Sequence, residues 1–161
     1  MPRGVLFALD DAQSARLAAA AGDAAVRDCI AAIEERWERA WLFQTDKAWD
    51  AIHRALTDGR LLYENGAFPL SHCILGGFQL HAEDDWVVSV TAEEHVADVA
   101  RALADVTEEV LREGYARIDA DDYPDKSDAD FAYTWASFRG LPEFYGKAAE
   151  AGRPVVFTVD L

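Results

Sequence analysis

Two short apolar runs stand near the ends of the chain, Val5–Leu9 and Val155–Val159, and a third, Trp86–Val90, falls between them. Runs of this length, rich in Val and aromatic residues and flanked by charged or proline positions, read as strands. Strands near both termini have to meet in one sheet, and the helical patterns between them have to pack on it. This predicts an α+β fold: a single domain over residues 1–161, with a small, mostly antiparallel sheet that includes both chain termini, covered on one face by about five helices.

The helical patterns follow in order. Asp10 with Gln13 three residues on is a capping arrangement for a short first helix that Gly22 closes. Asp23 is the expected N-cap of a second helix, whose stripe Val26, Cys29, Ile30, Ile33, Trp37 and Trp41 recurs at three- and four-residue spacing. A third runs from Thr45 as N-cap to Gly59 and buries Trp49, Ile52 and Leu56. Residues 60–84 read as irregular, with turn signals at Asn65-Gly66, Pro69 and Gly76-Gly77. Thr91 with Glu94 reads as a capping box opening a long helix striped through Leu111. An aromatic helix from Phe131 to Ala148 should kink or split at Gly140-Leu141-Pro142, because proline lacks the amide proton and clashes with the preceding turn.

Composition bounds the function. With 161 residues and 51% apolar composition the chain can bury roughly two-thirds of its unfolded surface and needs no disulfide. Cys29 and Cys73 show no Cys-x-x-Cys spacing and read as reduced thiols of a cytoplasmic protein. No secretory or membrane-spanning segment is expected. The net charge is -15, and between Glu83 and Asp130 16 acids face only four basic residues. Such a field repels phosphate backbones and anionic lipid, so neither nucleic acid nor membrane is an expected partner.

One stretch stands out: Asp46-Lys47-Ala48-Trp49-Asp50-Ala51-Ile52-His53, followed by the Pro69-Leu70 to Gly76-Gly77 loop. The order continues with Thr91-Ala92-Glu93-Glu94, Tyr123-Pro124 and Glu143-Phe144-Tyr145-Gly146-Lys147. In this order of pieces the chain resembles the YfbM-like family of bacterial proteins, a family without an assigned molecular role. The resemblance implies a soluble α+β protein and brings no catalytic residue with it.

Candidate chemistry is sparse. Asp46, Asp50 and His53 could face one ion, but on a helical wheel they fan outward; the competing reading pairs Asp50 with Arg54 four residues on. Asp119, Asp121 and Asp130 match EF-hand positions, yet Pro124 stands where that loop needs glycine. Neither metal nor cofactor is therefore expected. A Cys/His pair would require His53 or His81 to fold against Cys73. Trp49 and His53 beside Gly76-Gly77 suggest a pocket wall, since paired glycines let backbone approach a ligand or a neighbouring element closely. The candidate pocket is Asp46, Trp49, His53, Gly76, Gly77 and Tyr123. No motif joins nucleophile, base and orienting group, so the leading expectation is a non-catalytic binding or protein-interaction module with a protein or small-molecule partner. The alternative is a small hydrolase-like or metal-assisted enzyme with its site near His53.

Overall fold

The computed structural model describes residues 2–161. Strand β1 (Gly4–Ala8) pairs antiparallel with β2 (Leu42–Asp46) on one side and β5 (Val155–Asp160) on the other. Strand β4 (Trp86–Thr91) pairs with β5, and the two-residue β3 (Phe78–Gln79) closes the far edge, giving the order β2-β1-β5-β4-β3. All pairings are antiparallel and the sheet includes both terminal strands, as the sequence predicts; β1 and β5 are neighbours inside it.

The helices cover both faces of this sheet, where one face was expected. Along β1, Leu6 and Ala8 join one core while Phe7, and Leu9 just beyond the strand, join the other; β5 divides the same way, with Val155, Phe157 and Val159 on one side and Val156 on the opposite side. Strands apolar at successive positions bury both faces, and this continuity, legible in the sequence, requires cover on each. Helices α1 (Asp11–Ala19) and α2 (Asp23–Arg36) supply the smaller core with Leu17, Val26, Cys29, Ile30 and Ile33. The larger core lies under α3 (Trp49–Leu56), α4 (Glu93–Ala104), α5 (Glu108–Ala116), α6 (Asp128–Phe138) and α7 (Leu141–Glu150).

Among the described residues seven α-helices replace the expected five because two long patterns split. The helix from residue 93 stops at Ala104, and Thr107 caps a new one, its hydroxyl accepting from the Val110 amide. The aromatic helix breaks at Gly140, and Pro142 then sits in the first turn of α7, where its missing amide proton costs nothing. The Asp10–Gln13 capping box forms as read. The other caps differ: Gly22 occupies the N-cap of α2, and Thr91 ends β4 and donates to the His72 carbonyl. Helix α2 also ends sooner, at a left-handed Trp37, which leaves Trp37 and Trp41 outside it. Among the described residues no helix is long and apolar enough to cross a membrane.

Candidate functional site

The expected third helix starts later than its sequence suggests. Residues 42–46 are strand, Thr45 is buried and donates to the Gly4 carbonyl within the sheet, and α3 opens at Trp49. The β-branched and aromatic side chains of Leu42-Phe43-Gln44-Thr45 find partners on β1, which outweighs the weak capping preference. Asp46 therefore sits at a strand end in a left-handed conformation, held by Arg3 and by the Tyr133 hydroxyl, which donates to it and lowers its pKa.

Of the six candidate pocket residues, Gly76 and Gly77 line one cleft together, and the other four are not among its lining residues. Trp49 is 4% exposed, packs against Phe157 and donates from Nε1 to the Pro2 carbonyl. Tyr123 is buried under the Arg54 guanidinium, and its hydroxyl donates to Asp130 at 3.0 Å. Asp50 accepts from Arg54 at 2.6 Å, the i,i+4 pairing read from the sequence, and both are buried. Gly76 and Gly77 lie tight against their own chain: an added Cβ would come within 2.2 Å of the Ser71 carbonyl oxygen at the first and 2.5 Å of the Val90 carbonyl oxygen at the second. The pair accordingly serves close backbone packing.

His53 is 1% exposed, and its partner comes from a segment the sequence did not point to. The sequence favours a partner in Asp46 or in the 70–77 backbone; the observed one is Asn65, whose Oδ1 lies 2.9 Å from His53 Nε2. Because that oxygen only accepts, Nε2 carries the proton. The Asn65 amide donates in turn to Asp58 at 2.6 Å and to the Arg60 carbonyl at 2.9 Å, while Thr57 donates to the His53 carbonyl at 2.7 Å. His53 and Asn65 thus pin the loop after α3 onto the helix end. Burial lowers the His53 pKa below its ordinary 6.5, although Asn65, the Leu62 backbone and the charges of Asp50 and Asp58 pull the other way.

A group depressed in this way is neutral in the fold and protonated in the unfolded chain below about pH 6.5. Its contribution to stability is full above that pH and falls as the pH drops from about 6.5 toward the folded-state value, by at most about 1.4 kcal/mol per pH unit. Urea midpoints should consequently decrease between pH 7.5 and 5.5, and His53→Gln should flatten that decrease. A wild-type midpoint constant over this range would contradict the buried neutral imidazole.

The pinned loop walls a cleft of about 570 Å³ between Tyr63, Asn65, Phe68, His72, Gly76-Gly77 and Phe78-Gln79. A hollow of about 440 Å³ adjoins it, lined by Arg60, Leu62 and Tyr63. Leu62, Tyr63, Phe68 and Phe78 are 47%, 39%, 45% and 73% exposed. These are four of the seven large apolar side chains exposed among the described residues. Phe68 stands edge-on to His72 and His95, with ring centroids at 4.8 and 5.1 Å. Burial and the neighbouring His95 lower the His72 pKa. The cleft runs beside the sheet edge at β3. Phe78 pairs with Val90 and the Leu80 amide donates to the Val88 carbonyl, so the alternation of an antiparallel ladder turns the Gln79 N–H and C=O outward.

Nucleophiles are poorly placed here. Cys73 is buried, which pushes its thiol pKa up, and His53 and His81 bond to Asn65 and Asp85 instead of to it. Ser71 Oγ lies 3.2 Å from His72 Nδ1, and both residues line the cleft, although little of Ser71 is exposed there. The wall made by Tyr63, Phe68 and Phe78 carries no signal in the sequence. Asn65-Gly66 was legible only as a turn.

The structure thus defines an α+β domain with an all-antiparallel five-stranded sheet and a surface cleft at its β3 edge. Residues 2–158 match the family model described as domain of unknown function DUF1877, and the chain belongs to that family. The fold is similar to the crystal structure of YfbM from Escherichia coli, a protein of unknown function, with 20% identity, 99% of each chain covered and a TM-score of 0.69. No curated protein matches the sequence.

Proposed function

We propose that the domain is a non-catalytic protein-interaction module of the cytoplasm, and that it receives an extended segment of a partner along the β3 edge. One observation carries this reading: among the described residues, four of the seven exposed large apolar side chains line the cleft and the hollow that adjoins it, beside a strand edge that turns the Gln79 N–H and C=O outward. Clustered apolar exposure marks interaction surfaces, and an open edge is a template for one more strand. The added strand would pair with Gln79 and set an apolar or aromatic side chain between Phe68 and Phe78. Glu64 on the cleft wall, and Asp84 close enough to help raise the Tyr63 pKa, favour basic residues flanking that side chain.

Capture from native lysate with the wild-type domain and with Phe68→Ser/Phe78→Ser tests the proposal. Both phenylalanines are exposed, so the variant should keep its melting temperature, and the wild type should retain a protein that the variant releases. An identical set of proteins on both would count against the cleft.

A further inference from the structure

The turn from β3 into β4 gathers a second group of side chains, separate from the cleft. His81, Glu83 and Asp85 each offer a ligand atom, and the three atoms lie within 4.8 Å of one another. The His81 side chain is 1% exposed and edge-on to Trp86, while both carboxylates face solvent. Its Nε2 is 2.8 Å from Asp85 Oδ1, and its Nδ1 points at Asp23 Oδ1, 3.6 Å away at the start of α2. That nitrogen is buried without a hydrogen-bond partner.

A neutral imidazole carries one ring proton, which cannot serve both nitrogens. With the proton on Nε2, Nδ1 remains a buried acceptor with only a carboxylate in front of it. With the proton on Nδ1, that N–H turns to Asp23, and Nε2 directs its lone pair at Asp85. Either a second ring proton, giving an imidazolium that faces Asp23 and Asp85 at once, or a cation between Nε2 and the Asp85 carboxylate resolves the second arrangement, and titration with zinc distinguishes them. Adjacent ligands of an octahedral ion with bonds of about 2.1 Å stand about 3.0 Å apart, near the Nε2–Oδ1 separation, and a tetrahedral zinc requires the two to spread to about 3.4 Å. A metal-bound histidine commonly donates its other N–H to a carboxylate, and Asp23 is in place for that. Arg27 donates to Asp85 Oδ2 at 2.9 Å, leaving Oδ1 as the ligand atom.

We propose that His81, Glu83 and Asp85 bind a divalent first-row transition ion, with Asp23 orienting His81. One imidazole with two carboxylates selects zinc, nickel or cobalt over magnesium and calcium, which prefer all-oxygen sets. The exposed carboxylates leave room for water to complete the shell. The ion ties the β3–β4 turn to α2.

Calorimetric titration of the whole chain with zinc chloride, together with thermal melts, tests this. One equivalent should bind, and saturating zinc should raise the melting temperature by roughly 5 °C or more, with no rise from magnesium or calcium. Glu83→Gln, on an exposed side chain, should leave the metal-free melting temperature unchanged and weaken zinc binding by at least about tenfold. Cobalt should shift and broaden the His81 ring-proton resonances. Absence of saturable zinc binding, equal stabilisation by magnesium, or an affinity unaffected by both Glu83→Gln and Asp85→Asn would overturn the proposal.

Discussion

Gly114→Ala is expected to destabilise the domain by about 3 kcal/mol or more, although alanine is the better helix former. Gly114 lies in α5 where that helix crosses α3, and a Cβ added there would stand 2.0 Å from the Ala55 carbonyl oxygen and 2.9 Å from its carbon. Those atoms belong to the α3 backbone, so no side-chain rotation relieves the clash, and the two helices must separate. Separation would also loosen Leu111 and Tyr115 from the core they share with Ile52 and Leu56. Chemical denaturation checks this: a ΔΔG below about 1 kcal/mol would mean that α3 and α5 do not approach as described.

The second large effect belongs to Trp49→Ala, expected to cost about 3 to 5 kcal/mol. The indole is almost wholly buried, meets the Phe157 ring at 5.9 Å between centroids, and donates to the Pro2 carbonyl at 2.9 Å. Removing it opens a cavity between α3 and the central strand β5 and leaves the chain start without that tie. Urea melts of the variant report the loss. A midpoint close to wild type would place Trp49 outside the core.

Parts of this arrangement are legible in the sequence for a physical reason. Val5–Leu9, Trp86–Val90 and Val155–Val159 are apolar over successive residues, and strands buried on both faces cannot hide that continuity. Strand β2 was not legible, because Trp37 and Trp41 continue the helical spacing of α2. The turn that ends α2 uses a left-handed Trp37, where no glycine gives the signal. Strand β3 is two residues long, too short for any period to register.

The cleft was hidden for a different reason. Phe68 and Phe78 carry the same side chain as buried Phe131 and Phe138, and composition cannot tell which of them the fold leaves outside. Asn65 reads as the first residue of an Asn-Gly turn. Its side chain is instead the link from His53 to the Asp58 carboxylate and the Arg60 carbonyl, a role that emerges only when α3 and the loop are brought together. The residues proposed to hold a metal, His81, Glu83 and Asp85, come at alternate positions in a turn, a spacing without a motif.

Amide hydrogen exchange at Gln79, followed in the free domain and in complex with the captured partner, tests most directly whether the β3 edge is the interaction surface. The account predicts rapid exchange of this outward amide in the free protein and strong protection in the complex, accompanied by protection across residues 62–68. Unchanged exchange at Gln79, with protection confined to the opposite face around α1 and α2, would contradict it.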